Sequence, residues 1–204
     1  MSDRQSHWQR VYTTKGESEV SWFQERPDTS LAMIQATGAD KNAAIIDIGG
    51  GASRLVDALL RQDYRAVTVL DLSEAALQTA RMRLAAASAS ATWIVADVTA
   101  WQPPRRYDIW HDRAAFHFLT GSTDRNAYIA CLKQALSPNG QAIIGTFALD
   151  GPETCSGLAV QRYDARSLSQ TLGSDFVLLE TRTEAHRTPW QSVQSFQFSR
   201  FRRA

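Results

Sequence analysis

The stretch IIDIGGGASRLVDALL, residues 45–60, limits the possible folds of this chain more than any other segment. An apolar run of strand length ends in an acidic residue and three glycines, and a run with the helical spacing of apolar residues follows. Such units of strand, loop and helix build parallel sheets that carry helices on both faces. Because glycine permits sharp turns and a close approach of backbone to ligand, the segment predicts a binding loop at the carboxyl end of a buried strand.

The alternation of strand and helix patterns continues along the chain. Strand patterns occupy residues 43–48, 66–72, 91–97, 107–112, 141–149, 176–185 and 192–201. Helix patterns occupy residues 53–62, 74–87, 125–136 and 164–172. The last two strands adjoin and alternate, which favours an antiparallel hairpin. The expected fold is α/β: a doubly wound, mostly parallel seven-stranded sheet with an antiparallel edge strand.

Two helix patterns, 3–12 and 28–37, precede the first strand, and Asp28 is the expected N-cap of the second. Ser73 is the expected N-cap of the helix that begins after it, and SPNG, residues 137–140, is expected to be a turn. A length of 204 residues favours one domain over 1–204, with a helical cap (1–40) and a catalytic core (41–204).

Composition excludes several functional classes. The net charge of +1 indicates no nucleic acid partner. The chain has no apolar run long enough to span a membrane, and its polar start, MSDRQSHWQR, lacks a signal core. Two cysteines, Cys131 and Cys155, form no disulfide framework, so a cytoplasmic location is expected, with Cys131 in the core. No His/Cys cluster has metal-ligand spacing, so no metal is expected.

Acidic residues stand at or beside the ends of four successive predicted strands. They are Asp47, Asp71, Asp97 and Asp112. One such residue would usually be a helix cap, but the carboxyl ends of parallel strands meet at one sheet edge, where ligands bind. The four carboxylates therefore predict a ligand site.

The spacing of these residues narrows the ligand. Asp71 follows Gly49 by 22 residues, where an acid accepts the hydroxyls of a ribose. Arg54 replaces the third glycine of a dinucleotide fingerprint, and Asp47 would repel a pyrophosphate. An adenosine that carries an ammonium and a sulfonium group fits these residues, with Asp97 accepting from the adenine amino group.

The same motifs, in order, make residues 40–200 resemble a class I S-adenosylmethionine-dependent methyltransferase of the small seven-stranded type. DIGGG resembles the first motif of that family, LDLS its ribose-binding segment, and ADV its adenine site. YDIWHDRAAFHFL resembles the fourth-strand segment beside the reactive methyl group. The opening HWQRVYTTKGESEVSWFQ resembles a branch that includes lysine methyltransferases of metabolic enzymes. HDRAAF departs from the N-P-P-Y-like motif of enzymes that methylate nucleic acid bases, so that activity is not expected.

The resemblance implies S-adenosylmethionine as the cofactor and S-adenosylhomocysteine as its product. The expected cofactor-binding residues are Trp22, Asp47, Gly49, Gly50, Gly51, Asp71, Leu72, Asp97, Val98 and Asp112. Asp47 is expected to act through water or backbone amides rather than by direct pairing. Trp22 and Phe23 are expected to cover the cofactor, because aromatic rings attract cations, or else to pack a helix on the sheet.

The segment after the fourth strand supplies the first catalytic candidates. Asp112 is expected to bind the ammonium of the cofactor or to orient the acceptor; the alternative is an ion pair with Arg113 or Arg125. His117 is either a general base or a packed core residue, since its neighbours are aromatic. His111 is expected to pack at the strand end.

The long segment after the fifth strand, 148–164, is expected to border the site and to form a substrate lid. Cys155 is either a reactive thiol, a pocket residue for a soft nucleophile, or an ordinary loop residue. Arg162 and Tyr163 either clamp an anionic substrate or anchor the loop. His186 and Trp190, between the last two strands, are expected to roof the site.

The sequence leaves the methyl acceptor open. A small molecule, with a thiol, amine or carboxylate as nucleophile, is the first hypothesis. A protein lysine is the alternative, and a cofactor-binding module without catalysis is the second alternative. The three differ in what the site should contain: a closed pocket, a narrow acidic channel, or a cofactor site without turnover.

Overall fold

The predicted sheet forms in a computed structural model that describes residues 3–204. Within that range seven strands pair in one sheet, in the order β3-β2-β1-β4-β5-β9-β8. They are β1 (Ala44–Ile48), β2 (Ala66–Asp71), β3 (Ala91–Val95), β4 (Tyr107–Arg113), β5 (Leu136–Phe147), β8 (Phe176–Arg187) and β9 (Val193–Arg203). The first five strands are parallel, and β9 pairs antiparallel with both β5 and β8. The predicted fold class is therefore confirmed.

Six α-helices accompany the strands in the described range. They are α1 (Asp3–Thr14), α2 (Asp28–Gln35), α3 (Leu55–Arg61), α4 (Glu74–Leu84), α5 (Ser122–Ala135) and α6 (Ala165–Leu172). Short 3-10 turns occupy Glu17–Glu19, Ala85–Ser90 and Phe116–Phe118, and β6 (Thr154–Cys155) pairs with β7 (Leu158–Ala159). Among these residues no helix has the length and apolar character that a membrane span needs.

Side-chain alternation along the strands separates two hydrophobic cores. On one face, Ile46 and Trp110 pack with α5 and α6; on the other, Ile45 and Ile109 pack with α2, α3 and α4. Cys131 of α5 is 5% exposed in the first core, as predicted. Helices thus cover both faces, and the carboxyl edge of the sheet remains as the place for a ligand.

Local details of the fold partly follow the sequence signals. Ser73 caps α4, because its hydroxyl accepts from the Ala76 N–H at 3.2 Å. The N-cap predicted for Asp28 is wrong: Pro27 holds that position, and the Asp28 carboxylate pairs with Arg26 at 3.2 Å. The residues predicted as a turn, 137–140, fall within β5, where its register with β4 shifts between Leu136 and Gln141 and Asn139 has φ 61°.

Helix α1 lies across the carboxyl edge and is held there by polar contacts. The Gln9 side-chain oxygen accepts from the Ser73 hydroxyl at 3.0 Å and from the Ala75 N–H at 3.2 Å. Arg4 pairs with Asp124 and lies 3.7 Å from Asp97. The N-terminal segment therefore becomes a wall of any site at this edge.

Candidate active site

A cavity opens where the sheet order changes direction, between β1 and β4. It encloses about 810 Å³ including its mouth. Its strand-end wall contains Gly49, Asp71, Leu72, Asp97 and Val98. Its aromatic wall contains Trp8, Tyr12, Trp22, Phe118, Phe147 and Phe196. A second cavity of about 580 Å³ lies beside it, and Tyr12, Trp22, Gly49 and Arg113 line both.

The glycine loop passes close to two acidic side chains, of which Asp71 lines the first cavity and Asp47 the second. Gly49 and Gly51 have φ of 64° and 41°, a region that residues with a Cβ rarely adopt. A Cβ on Gly50 would stand 2.5 Å from Oδ2 of Asp47, and one on Gly51 would stand 2.8 Å from Oδ2 of Asp71. Only glycines allow the backbone to pass so close to both carboxylates.

Asp71 has the environment of a ligand-binding carboxylate. Its side chain is buried, and its Oδ1 accepts from the Ser73 N–H at 2.8 Å. Burial, together with the charge of Asp47, raises the pKa of Asp71 to about 7. The carboxylate is buried and lines the first cavity, so its negative charge is poorly solvated. Hydrogen bonds from the hydroxyl groups of a bound ligand would stabilise that charge.

The other predicted nucleoside residues line the same wall as Asp71. They are Leu72, Asp97 and Val98. Oδ1 of Asp97 accepts from the Thr99 N–H at 2.9 Å and from the Thr99 hydroxyl at 2.6 Å. These bonds fix the carboxylate at the cavity, where its adenine-binding role stays a prediction.

Asp47 is held inside the fold by a direct hydrogen bond. Its Oδ1 lies 2.7 Å from Nδ1 of His111, and Nε2 of that ring lies 2.9 Å from the Ser30 hydroxyl. A carboxylate only accepts, so Nδ1 of His111 donates to Asp47. His111 is packed at the strand end as predicted, and the contact of Asp47 with the cofactor through water or backbone amides stays a prediction.

The structure brings Asp112 to neither cavity wall, so its contacts lend no support to the cofactor-binding and catalytic roles, which stay predictions. Its side chain is fully buried and accepts from the Tyr128 hydroxyl at 2.7 Å and from the Ala115 N–H at 2.9 Å. The alternative ion pairs do not form, because Arg113 bonds the Trp22 carbonyl and Arg125 bonds the Leu119 carbonyl, each at 3.0 Å. Asp112 instead shapes the turn after β4.

His117 has the packed-core role rather than that of a general base. The ring is fully buried, its Nδ1 accepts from the Phe147 N–H at 3.4 Å, and it contacts the rings of Phe118 and Phe147. Burial and the nearby charge of Arg113 lower the pKa of His117 to about 3. A group that weakly basic cannot take a proton near neutral pH.

The segment 148–164 contributes one residue to the cavity. Cys155 lines it, and burial raises the pKa of the Cys155 thiol to about 11, which opposes the reactive-thiol interpretation. Arg162 anchors the loop instead of clamping a substrate, because it donates to the Gly151 carbonyl at 3.1 Å and to Glu153 at 2.8 Å. Tyr163 is buried against Phe116, also as an anchor.

Aromatic residues close the cavity from the N-terminal side. Trp22 lines it and donates from Nε1 to the Tyr12 hydroxyl at 3.0 Å, while Phe23 lines the second cavity. His186 contacts the Ser21 carbonyl at 2.7 Å, so it secures this segment. Trp190 is 59% exposed and lies outside both walls in the described chain, contrary to the predicted roof.

Asp112 and Arg113 together were the polar pair expected to face the methyl group, and only Arg113 lines the cavity. Neighbours in a strand point to opposite faces, so a buried Asp112 places Arg113 on the other side. Sequence reasoning missed Trp8 and Tyr12 as wall residues. They stand four apart and therefore share a face of α1, which was the available signal.

The strand order and the edge cavity define a Rossmann-like nucleotide-binding domain. Residues 45–140 match a family model described as a methyltransferase domain. This match, together with the fold shared with solved methyltransferases, supports the class I S-adenosylmethionine-dependent methyltransferase that the motif resemblance implied. No curated protein sequence matches it.

Solved structures share this fold at low sequence identity. One comes from work on the conversion of a disulfide bond into a thioacetal group during echinomycin biosynthesis, with a TM-score of 0.78, 21% identity, and coverage of 98% of this chain and 93% of that chain. A second is the 1,6-didemethyltoxoflavin-N1-methyltransferase of Burkholderia thailandensis with bound S-adenosylhomocysteine, with a TM-score of 0.74, 18% identity, and coverage of 98% and 87%. A third is the N-methyltransferase NodS of Bradyrhizobium japonicum with S-adenosylhomocysteine, with a TM-score of 0.72, 15% identity, and coverage of 96% and 97%.

The residues at the cavity fit S-adenosylmethionine. Asp71 offers a poorly solvated carboxylate for hydroxyls, and the glycine loop leaves space that a Cβ would fill. Tyr12 and Trp22 present aromatic rings, which attract cations. When bound, the cofactor supplies a methyl group on a positively charged sulfur.

Proposed function

We propose that this methyltransferase acts on a small-molecule acceptor. The observation that carries the proposal is a set of residues that line the same cavity as Asp71 and Asp97. It combines the rings of Phe118, Phe147 and Phe196 with Arg113 and Cys155. A protein lysine would meet a buried positive charge there instead of the acidic channel that suits an ammonium group. A small molecule with an apolar body fits such a wall better.

The protein's own contribution to the reaction is mainly positioning. Asp71 and Asp97 would hold the nucleoside, while Trp22 and the rings around Phe118 would exclude water and align the acceptor. Holding the two reactants in line can by itself lower the activation barrier by about 7–11 kcal/mol in favourable cases. A site with few catalytic groups is therefore sufficient.

The names of similar solved structures support the same class of acceptor. They include a 1,6-didemethyltoxoflavin-N1-methyltransferase and a glycopeptide N-methyltransferase. The assignment of this chain to the branch with lysine methyltransferases stays a prediction.

The test uses labelled S-adenosylmethionine and a host lysate, fractionated by size after incubation with the protein. Label is expected in the small-molecule fraction, and Asp71→Asn, the matched control, is expected to lower it at cofactor concentrations near the dissociation constant. Label in the protein fraction would favour the lysine alternative. Binding of S-adenosylhomocysteine without transfer of label would favour a cofactor-binding module.

A further inference from the structure

Arg113 is a buried cation with free hydrogen-bonding capacity at the junction of the two cavities. Its side chain is 10% exposed. One nitrogen, Nη1, donates to the Trp22 carbonyl at 3.0 Å. Nε and Nη2 have no hydrogen-bond partner among residues 3–204. A guanidinium seldom remains so poorly paired when buried, so the two N–H groups indicate a missing acceptor.

The nearest negative charge only partly compensates Arg113. Glu184 approaches Nη2 to 3.6 Å, which is beyond hydrogen-bond distance, and its carboxylate also accepts from Gln24 at 2.8 Å. The ring of Phe196 lies under the guanidinium, 4.5 Å from its centroid. Burial lowers the pKa of Arg113, although an arginine keeps its charge near neutral pH. The charge thus faces an apolar cavity.

The wall also lacks a group that could remove a proton from an amine. His117 is neutral and weakly basic, and Asp112 is occupied inside the fold. Burial raises the pKa values of Tyr12 and Cys155, so both keep their protons. Asp71 and Asp97 lie at the nucleoside end. An acceptor must therefore arrive with its electron pair already available.

We propose that Arg113 binds the methyl acceptor through a negatively charged nucleophile, a carboxylate or a thiolate, and that amines are disfavoured. This inference rests on the proposed small-molecule function. The guanidinium offers two N–H groups in a fork, the geometry that carboxylates match. Arg113 lies over the Phe196 ring and lines the cavity together with Cys155 and Phe147, so the anion would bind at this part of the wall.

The charges in such a transfer balance without proton movement. The anionic atom forms the new bond to the methyl carbon, and the electron pair of the broken carbon–sulfur bond stays on sulfur. An anion and a sulfonium thus give two neutral products. The absence of a competent base in the described wall is then no obstacle.

The test uses four probes that share one benzene ring: benzoate, benzenethiol, aniline and benzylamine. Their binding to protein loaded with S-adenosylhomocysteine is measured by calorimetry, and methylation is measured as release of S-adenosylhomocysteine. Benzoate is expected to bind and benzylamine is not. Arg113→Gln should weaken benzoate binding and kcat/KM for the anionic probes by about tenfold or more. Arg166→Gln, which removes an exposed arginine of α6, should change both by less than about twofold.

Two further measurements separate the outcomes. Arg113→Lys keeps the charge and should lose less benzoate affinity than Arg113→Gln, with both melting midpoints checked. Benzoate binding that is indifferent to Arg113, or equal binding of benzylamine, overturns the inference. So does a loss of S-adenosylhomocysteine affinity in Arg113→Gln, which would assign the guanidinium to the carboxylate of the cofactor. Failure of the unsubstituted protein to bind S-adenosylhomocysteine would refute the proposed function itself.

Discussion

The Asp47 carboxylate and the His111 imidazole face each other across β1 and β4 and share a hydrogen bond of 2.7 Å directly under the glycine loop. The two side chains are 3% and 2% exposed. Ser30 of α2 holds the other ring nitrogen. The loop that would receive the cofactor therefore rests on a buried chain of hydrogen bonds from three different elements.

Breaking this chain should destabilise the fold. His111→Leu removes the donor and leaves Asp47 buried and unpaired, so we expect a loss of about 3 kcal/mol in the free energy of unfolding in urea. Ser30→Ala is the graded control and should lose about 1 kcal/mol, because it removes one neutral bond. Equal, small losses in both variants would contradict the structural role of the pair.

Asp71→Ala should weaken S-adenosylhomocysteine binding by about tenfold or more, because a hydrogen bond to a charged group contributes about 1.5–3 kcal/mol. Calorimetry measures the affinity, and circular dichroism checks the fold. Glu74→Gln, which removes an exposed neighbouring carboxylate, is the control. Unchanged affinity in Asp71→Ala would reduce Asp71 to a capping residue.

The affinity for S-adenosylhomocysteine should rise with pH through about 7, the pKa of Asp71 in the cofactor-free protein. Below that pH the carboxyl group must lose its proton before it can accept hydrogen bonds from two hydroxyl groups. This deprotonation lowers the affinity by up to about tenfold for each pH unit. Titrations from acid to slightly alkaline pH measure this slope, and Asp71→Asn should flatten it.

The carboxyl group of Asp71 also makes the stability of the folded protein depend on pH, with a trend opposite to that of the ligand affinity. The pKa of Asp71 in the folded protein lies above the ordinary value of an aspartate, so the folded chain holds the proton more tightly than the unfolded chain. The stability of the cofactor-free protein should therefore fall as pH rises from about 4 to 7, and Asp71→Asn should remove that contribution. A trend of the opposite sign would argue against the raised pKa.

Trp22→Leu should distinguish the cofactor from its product. If the ring faces the sulfonium, its loss removes a cation–π contact of about 1 kcal/mol, so S-adenosylmethionine affinity should fall about fivefold more than S-adenosylhomocysteine affinity. Phe23→Leu, a change in the neighbouring cavity, is the control. Equal losses for both ligands would indicate that Trp22 acts only by packing.

Substitutions of Arg162 and Cys155 should have different effects on turnover. Arg162→Ala removes two loop contacts and should change turnover by less than about twofold. Cys155→Leu fills part of the cavity and should lower turnover while S-adenosylmethionine affinity stays within about twofold. A strong loss of turnover in Arg162→Ala would restore the clamp hypothesis.

The sequence predicted the location of a side chain correctly where the path of the backbone alone determines that location. Asp71 and Asp97 follow buried parallel strands, and such ends converge at one edge of a sheet, so their place at the cavity was predictable. Asp112 lines neither cavity, because the final residues of a strand alternate between faces, and the register decides which one faces the cavity.

The roles of Arg162 and His117 depended on contacts that no local pattern encodes. Arg162 finds its partners within its own loop, and His117 meets Phe147 through the packing of a turn against β5. These contacts arise from tertiary packing, and a single sequence does not reveal which residues come into contact through such packing. The resemblance of the motifs could identify the cofactor but not the wall that selects the acceptor.

The aromatic wall of the cavity depends on contacts between segments that lie far apart in the sequence. Trp8 and Trp22 come from its beginning, and Gln24 and Ser21 are secured by Glu184 and His186 of β8, near its end. On a ribosome, the early segment must therefore wait until β8 has emerged before it finds these partners. Cofactor capture is expected only after the synthesis of β8, and a nascent chain halted before β8 should leave Trp8 and Trp22 exposed to chaperones.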